Sequence, residues 1–356
     1  MPWPTSSTLT SSLILPEADP RLTTGWSGRR ALITGGAGFL GGTLAQLLQT
    51  LGAQVRVLDL GTGTLPGVDY QRGSINDPSA VRRAVDGCHS VFHLAARVRD
   101  YGTDADFYGP NVQATQLLLQ ASAQAAVERF VFMSSLAATD YRLGAEAPAG
   151  GLVEAEARRG QAMGAYGRSK RAGENLVRAA HGRAMSTTIV RPGMFPYGPG
   201  DRTSFLPMAN AMRQRVPLRV GDGCATLNTA YAPELARGLA LCGLLPQAGG
   251  EIYHLADPES ITWDQLYRAM ALGLGVDEPP VHWPPSLLLA LAAPVEHAFR
   301  RWAPAAMPPL TEYRAFVSTS PMYVSTAKAE RELGFRSRIT LADGLAQTLA
   351  WYHQVA

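Results

Sequence analysis

The sequence contains few cysteines. Cys88, Cys224 and Cys242 are the only three in 356 residues, and their spacing matches neither a metal-binding motif nor a CxxC pair. An odd number of widely spaced cysteines argues against a disulfide framework and against a zinc site. Residues 1–28 lack the basic start and long apolar run of a secretory signal, so we place them as an extension ahead of the fold. We therefore expect ordinary apolar cysteines, no bound metal and a cytoplasmic protein.

Charge is also sparse. Asp, Glu, Lys and Arg make up 17% of the chain, the net charge is +3, and the basic residues are scattered. Nucleic-acid binding requires basic residues gathered into a patch or run. We therefore expect no nucleic-acid partner.

No apolar run has the length of a membrane span. The most apolar stretch, residues 287–293, lies between Pro285 and Pro294. It is far shorter than the roughly 20 residues that a spanning helix needs, so we expect no transmembrane segment. A short helix that packs over a substrate pocket or against the core is the favoured interpretation, and contact with a membrane surface is the alternative.

Apolar residues make up 46% of the chain, and their pattern predicts an α/β fold. Short β-branched runs alternate with helical stretches up to Arg191, which is typical of a doubly wound parallel sheet with helices on both faces. Strands are expected at residues 30–34, 54–59, 69–72, 90–94, 129–134 and 186–191. Residues 29–191 would form this domain. Residues 192–356 would form mainly a smaller substrate-binding region, with one strand (251–256) and one helix returning to the core.

A glycine-rich turn, TGGAGFLG, follows the first predicted strand and opens a helix. Gly35 permits a tight turn, Gly38 lets the backbone approach a pyrophosphate, and Gly41 allows the helix to pack closely on the strand. Phe39 and Leu40 begin that helix, whose N-terminus attracts phosphate charge. This arrangement is typical of a Rossmann dinucleotide-binding domain.

Asp59 ends the second predicted strand. A carboxylate at this position can accept hydrogen bonds from the ribose hydroxyls of an adenosine and would repel a 2′-phosphate. No arginine follows it in residues 60–63. The sequence therefore favours NAD over NADP as the cofactor, and a turn-capping role for Asp59 is the alternative.

Tyr166 and Lys170 are four residues apart in a predicted helix, so both side chains lie on one face. A neighbouring ammonium favours the phenolate and lowers the pKa of a tyrosine, which would let Tyr166 exchange a proton with a substrate oxygen. Ser135 lies just beyond the fifth predicted strand, at the sheet edge where open α/β folds bind ligands. We expect Ser135, Tyr166 and Lys170 to form the catalytic set. A solvated helix face and a loop-capping serine are the alternatives.

Several motifs in order resemble the extended short-chain dehydrogenases/reductases. They are TGGAGFLG, HLAA at 93–96, Asn111-Val112, Ser134-Ser135, YGRSK at 166–170 and RPGMFPYGPGD at 191–201. The resemblance implies that Tyr166 is the catalytic acid–base, that Lys170 also binds the nicotinamide ribose, and that Ser135 orients the substrate oxygen. His93 would then be a strand-end residue and not a metal ligand.

The same resemblance implies further cofactor contacts. They would come from Ser74, Ile75, Ala95, Ala96, Arg97, Pro192 and Met194. Ser74 stands where many members have an aspartate that contacts adenine, which would weaken that contact. Nucleotide-sugar enzymes often carry Tyr-Gly shortly after the catalytic serine, and this chain has Leu136-Ala137 instead.

Two stretches, residues 93–115 and 308–335, are more similar to the 3β-hydroxysteroid dehydrogenase-like branch, whose members act on lipophilic ketones and alcohols. Aromatic and apolar residues of the C-terminal region offer modest support, although such residues lie more often in a core than in a pocket: Trp263, Tyr267, Met270, Trp283, the 287–291 run and Trp302. A nucleotide-sugar epimerase or dehydratase is the alternative, with Arg202, Arg213 and Arg215 as the local cations for a diphosphate. A non-catalytic NAD-binding protein is a remote alternative. We also expect a homodimer, formed in the resembling family by the helices that correspond to residues 107–125 and 166–181.

Overall fold

In the computed structural model of the chain, the described residues are 19–148, 150–216, 223–279, 283–303 and 306–355. The strands are β1 Arg30–Thr34, β2 Gln54–Asp59, β3 Asp69–Arg72, β4 Ser90–His93, β5 Arg129–Met133, β6 Ser186–Pro192, β7 Phe195–Tyr197, β8 Thr226–Leu227, β9 Thr229–Tyr231, β10 Ile252–Leu255 and β11 Ile261–Thr262. The α-helices are α1 Pro20–Trp26, α2 Phe39–Thr50, α3 Pro78–Val85, α4 Asp104–Phe107, α5 Ala114–Gln124, α6 Arg142–Ala145, α7 Gly164–Ala179, α8 Phe205–Arg213, α9 Ala232–Leu244, α10 Trp263–Leu274, α11 Pro285–Trp302, α12 Glu312–Thr319, α13 Ala327–Leu333 and α14 Leu341–Val355.

One seven-stranded sheet organises the described chain, in the order β10-β6-β5-β4-β1-β2-β3. All of its strands pair in parallel. Parallel pairing requires a crossover between successive strands, which the intervening helices supply. The expected doubly wound α/β fold is confirmed, and β10 is the strand that was expected to return to the sheet.

Two apolar layers cover the sheet. One joins α2, α9 and the residues of β1 that point toward them, and the other joins α3, α5 and α7 to the opposite face. Such burial on both faces explains why the strands read as continuous apolar runs. It also fixes the strand ends, and therefore the residues that follow each strand, at one edge of the sheet.

The segment before Arg29 differs from the expectation. Residues 1–28 were placed ahead of the fold, but Trp26 is fully buried and its indole N–H donates to the carbonyl oxygen of Ala240 at 3.3 Å. Asp19 caps α1 by accepting from the backbone N–H of Arg21. Burial of the whole indole contributes several kcal/mol toward holding α1 against the rest of the fold. Residues 1–18 of the expected extension lie outside the described residues.

The C-terminal region forms a smaller core of its own. Phe205, Leu266 and Tyr352 bring α8, α10 and α14 together. Tyr267 and Met270 are also buried there, which is the core interpretation of these two residues. This core lies beside the carboxyl end of the sheet because β7 follows directly from β6. Strand β7 pairs in parallel with β9, which leads into α9.

Helix α11 is longer than expected. The apolar stretch that indicated it lies before Pro294, but the helix runs through this proline to Trp302. An internal proline removes one hydrogen bond and costs about 3 kcal/mol. Packing offsets this cost, because Leu288 and Ala292 are buried against α12 and Glu296 accepts from the backbone N–H of Glu312 at 2.9 Å.

The three cysteines differ in their exposure to solvent. Cys88 and Cys242 are buried as expected, whereas Cys224 is exposed. It follows the undescribed residues 217–222 on a short irregular segment, and so it is not the buried apolar residue that we expected.

Across the described ranges, no helix has the length and apolar character needed to cross a membrane.

Candidate active site

The glycine turn joins β1 to α2 with little room for side chains. Gly35 has φ +74°, and a Cβ on it would lie 2.8 Å from the backbone nitrogen of Ala95. A Cβ on Gly41 would overlap the carbonyl oxygen of Gly35. Gly38 is the N-cap of α2 and supplies no side-chain cap, so the first N–H groups of the helix remain open toward the adjoining cavity. This cradle fits a dinucleotide pyrophosphate.

Asp59 lies at the end of β2 beside this turn. Its carboxylate accepts hydrogen bonds from the backbone N–H of Ala37 at 3.1 Å and of Gly61 at 3.0 Å. It therefore caps the turn, which was the alternative interpretation, and it also lines the cavity. Arg72 lies opposite Asp59 in the β2–β3 pairing and donates to the carbonyl oxygen of Leu60. The sequence analysis considered only residues 60–63 after Asp59, and so it missed Arg72, which the pairing of β2 with β3 brings next to Asp59.

The segment after β4 forms the next wall of the cavity. Asn111 holds it in place: its side chain accepts from the backbone N–H of Arg97 at 2.7 Å and donates to the Arg97 carbonyl oxygen and to Ser169. Asn111 lies in a π-helical turn that precedes α5. The sequence singled out Asn111 as part of a motif without a role, and its role here is to fasten this segment to α7.

His93, the last residue of β4, is buried between two threonine hydroxyl groups. Its ring nitrogens lie 2.7 Å from Oγ1 of Thr34 and 3.0 Å from Oγ1 of Thr115. Burial, with a smaller contribution from the charge of Lys170, lowers the pKa of His93 to about 3. The imidazole is therefore neutral and structural at neutral pH. No cluster of three or more metal-binding side chains occurs in the part of the chain that the structure describes.

Tyr166 and Lys170 lie one turn apart on α7 and both line the cavity. Lys170 is buried, its Nζ donates to the carbonyl oxygen of Met133 at 2.8 Å, and it lies 5.0 Å above the ring centroid of Phe132. Ser135 follows β5 beside them and lines the same cavity. The structure thus brings together the three residues that the sequence selected.

The pKa of Tyr166 differs from the expectation. We expected Lys170 to lower it, but burial raises the pKa of Tyr166, with a further increase from the hydroxyl of Tyr313, and a hydrogen bond with Ser135 only partly opposes this. Burial also lowers the pKa of Lys170 to about 8, while the charge of Glu174 acts in the opposite direction. Lys170 directs its ammonium at the Met133 carbonyl, and removal from water is the larger effect on both groups.

A buried ion pair supports helix α7. Both side chains of the Arg191–Glu174 pair are almost completely buried, with two hydrogen bonds of 2.7 Å between them. Glu174 also accepts from the hydroxyl of Ser134 at 2.6 Å. This pair ties α7 to the ends of β5 and β6, so Ser134 is a structural residue and Ser135 is the serine beside Tyr166.

The end of the cavity beyond Tyr166 is closed by two residues that the sequence did not place there, Tyr313 and Val317, and by Trp263, which the sequence considered for a pocket. Tyr313 and Val317 project from α12 into the lining, and Trp263 at the start of α10 joins them. The indole N–H of Trp263 donates to the carbonyl oxygen of Val317 at 3.3 Å, which joins the two helices. The hydroxyl groups of Tyr313 and Tyr141 lie 3.2 Å apart. No sequence signal near Tyr166 could identify α12, because the contact arises only from tertiary packing.

A single cavity of about 780 Å³ contains every residue that the sequence selected for the site. These residues are Gly35, Gly38, Phe39, Leu40, Gly41, Asp59, Ser74, Ile75, Ala95, Ala96, Arg97, Ser135, Tyr166, Lys170, Pro192 and Met194. The three arginines proposed for a sugar diphosphate lie elsewhere. Arg202 stacks on Trp351, Arg213 lies over Tyr352, and Arg215 pairs with Asp277.

Comparisons with known proteins identify the family and the fold of the chain. The model of the NAD dependent epimerase/dehydratase family matches residues 31–256. A 2-alkyl-3-oxoalkanoate reductase of Stenotrophomonas maltophilia is 30% identical over 90% of this chain and 98% of its own length. A 3 beta-hydroxysteroid dehydrogenase/Delta 5-->4-isomerase of Mycobacterium tuberculosis is 31% identical over 91% of this chain and 90% of its own. The structure of MoeE5 in complex with UDP-glucuronic acid and NAD has a TM-score of 0.74 at 23% identity, covering 92% of this chain and 100% of that one, which shows a shared fold.

Proposed function

Because the chain belongs to the NAD dependent epimerase/dehydratase family, we propose that it is an NAD(H)-dependent oxidoreductase that interconverts a ketone and a secondary alcohol on a lipophilic substrate. The two relatives described above support this proposal, since one is named as a reductase and the other as a dehydrogenase/isomerase. The observation that carries it is the cavity, which joins a phosphate cradle, a tyrosine–serine pair and an uncharged wall.

The uncharged wall favours a lipophilic substrate over a charged one. The lining residues that follow Arg191 in the sequence carry no charge: Pro192, Gly193, Met194, Pro196, Thr203, Ser204, Trp263, Tyr313 and Val317. Apolar and aromatic surfaces of this kind bind ligands by burying carbon, with a few polar groups to set the orientation. A steroid, a similar natural-product ketone or the alkyl part of a 3-oxoalkanoate fits this chemistry.

The residues of the chain divide the catalytic work between them. The glycine turn and the N-terminus of α2 would hold the pyrophosphate, Asp59 the adenosine ribose, and Lys170 the nicotinamide ribose. When bound, NAD(H) supplies or accepts the hydride. Ser135 would hold the substrate oxygen by a hydrogen bond, and Tyr166 would exchange the proton with that oxygen.

The raised pKa of Tyr166 favours one direction. A phenol with a raised pKa keeps its proton at neutral pH. It can then donate that proton to a substrate oxygen that gains electrons. The protonated phenol is the form from which ketone reduction starts, whereas alcohol oxidation starts from the phenolate.

Substitution of Tyr166 tests the catalytic assignment. Tyr166→Phe removes one hydroxyl and should leave NADH binding nearly unchanged, while kcat falls by about 100-fold to 10,000-fold, the range for lost acid–base catalysis. Tyr141→Phe is the matched control, because Tyr141 is a buried tyrosine in contact with Tyr313 but not part of the lining. If Tyr166→Phe turned over substrate at nearly the wild-type rate, the roles proposed for Ser135, Tyr166 and Lys170 would all be contradicted.

A substrate panel tests the class of reaction. We expect the chain to oxidise NADH in the presence of hydrophobic ketones and to leave UDP- and dTDP-sugars unconverted. Turnover of the sugars alone would favour the epimerase or dehydratase alternative. Tight NADH binding without turnover of either panel would favour a non-catalytic protein.

A further inference from the structure

Helix α11 presents apolar side chains to solvent. Leu287, Leu291 and Trp302 are 41%, 40% and 77% exposed. At 3.6 residues per turn, these three side chains lie within about 60° of one another around the helix axis. They form a stripe along the outer side of the helix, which we call the α11 stripe.

The side of the helix that faces α12 is packed, and Leu289, which is 45% exposed, lies beyond the edge of this packed side and outside the α11 stripe. Leu288 and Ala292 are buried against Ala315 of α12, and Glu296 is buried and ion-paired with Arg300. The outward orientation of the α11 stripe is therefore fixed by packing. Exposure of the stripe is not a result of a loosely held helix.

The charges of the helix all have one sign on its exposed side. Glu296 is the only acidic residue of α11, and its charge is balanced by its pair with Arg300, so exposed Arg301 supplies the net positive charge near the C-terminal end. Arg301 lies next to Trp302 and within about 100° of the whole α11 stripe by helical geometry. A partner surface that is apolar and negatively charged complements this side of the helix.

Tryptophans flank the stripe at both ends. Trp283 lies just before the helix and is 42% exposed, and Trp302 ends it. Tryptophan prefers the boundary between water and lipid, and leucine and arginine complete the pattern of a helix that lies in the plane of a bilayer surface. We propose that α11 docks on an anionic lipid surface, with Leu287, Leu291 and Trp302 inserted and Arg301 at the lipid headgroups.

Docking of α11 on lipid would place the cavity close to the lipid surface, because α12 lies between them. Helix α11 packs on α12, and α12 carries Tyr313 and Val317 of the uncharged wall. Lipid contact would bring this wall near the phase in which lipophilic ketones dissolve. That consequence rests on the proposed function, whereas the docking itself does not and is measured without substrate or cofactor.

Vesicle binding by the full chain tests the proposal. We expect sedimentation with vesicles that contain phosphatidylglycerol, weaker binding to pure phosphatidylcholine, and weaker binding at high salt. Leu287→Gln with Leu291→Gln should lower the partition coefficient at least about tenfold, because two apolar side chains lose their burial. Leu272→Gln is the matched control: Leu272 is a 63% exposed leucine on α10 and should not change binding.

Fluorescence places the contact. Brominated lipids should quench the emission of the wild-type chain, and Trp283→Phe with Trp302→Phe should lose most of that quenching, while buried Trp26 contributes none. Absence of binding to anionic vesicles, or equal loss with Leu272→Gln, would overturn the proposal. So would a change of sedimentation coefficient in the leucine double variant without lipid, since this would assign the stripe to a second copy of the chain. Retained NADH binding and an unchanged melting temperature show that each variant is folded.

Discussion

Glu174 and Lys170 lie one turn apart on α7, and the negative charge of Glu174 acts on the pKa of Lys170. Burial lowers the pKa of Lys170 to about 8, and Glu174 raises it. Lysine loses its proton as the pH rises, so a rate that needs charged Lys170 should fall as the pH rises through about 8. Glu174→Gln removes the negative charge, and the alkaline fall of kcat/KM should move to lower pH by about one unit.

The pH profile separates this effect from a loss of packing. Glu174→Gln also weakens the buried pair with Arg191, so the melting temperature should fall. Lost packing alone would lower the rate at every pH without moving the profile. Glu146→Gln, at an exposed acid, should leave the profile unchanged. An unmoved profile in Glu174→Gln would show that Glu174 does not tune Lys170.

Asp59 carries the proposed preference for NADH. Its carboxylate would accept from the ribose hydroxyls and repel a 2′-phosphate. Asp59→Ala should therefore weaken NADH binding and narrow the difference between NADH and NADPH, as measured by the Kd of each. Asp69→Ala, at an exposed acid on neighbouring β3, should change neither Kd. The proposal fails if the wild-type chain prefers NADPH.

At the scale of elements, the turn between β1 and α2 offers a matched pair of glycines. A Cβ on Gly41 would overlap the carbonyl oxygen of Gly35, whereas a Cβ on Gly42 would meet Gly36 at an ordinary 3.6 Å. Gly41→Ala should push α2 away from the turn, weaken NADH binding at least about tenfold and lower the melting temperature. Gly42→Ala should preserve binding and raise helix stability by up to about 1 kcal/mol.

Isothermal titration with NADH and thermal denaturation compare the two variants. Equal effects would show that the turn tolerates either side chain and that close packing at Gly41 does not shape the site.

The strands and the glycine turn were predictable because their signals are local. Alternating apolar patterns fix β1 to β6 within one residue at each end, and the turn needs only residues that are adjacent in the chain. The path of α11 was not predictable in this way. Pro294 ordinarily marks a helix end, and only the burial of Leu288, Ala292 and Glu296 against α12 carries the helix through it.

The candidate site shows the same division. The sequence identified its cofactor side, where each residue follows a strand or opens a helix. It missed Tyr313 and Val317, since these are distant from Tyr166 in the chain and meet the cavity only through the packing of α12. It also assigned the pKa of Tyr166 the wrong direction, because burial is a property of the folded chain and outweighs the charge of a neighbour.

For the whole molecule, we propose a homodimer formed by α5 and α7. The two helices contact each other, and Leu117 and Leu176 remain partly exposed on them. Sedimentation velocity at micromolar concentration should show a dimer. Gln116→Arg with Gln120→Arg, at exposed positions of α5, should shift it to the monomer, whereas Gln354→Arg on α14 should not. A monomeric wild-type profile would refute the proposal.

The stability of the whole molecule should depend on pH through its buried histidines. Burial lowers the pKa of His93 and of His254 to about 3 from the usual 6.5. Between these values the unfolded chain binds protons that the folded chain does not, so the free energy of unfolding should fall as the pH falls below 6.5. Asp257 acts in the opposite direction, because burial raises its pKa to about 6 and the folded chain holds the extra proton between pH 3.8 and 6.

Comparison of variants isolates the contribution of His254 from these opposing groups. At pH 5.5 each buried histidine should cost about 1.4 kcal/mol relative to neutral pH. His254→Leu removes one such group, so its free energy of unfolding in urea should fall less between pH 7 and pH 5.5 than that of the wild type, by about this amount. His353→Leu is the control, because His353 is exposed in the folded chain much as it is in the unfolded chain. If His254→Leu and the wild type lose the same free energy over this interval, His254 takes up its proton equally well in both states, and the pH dependence must come from other groups.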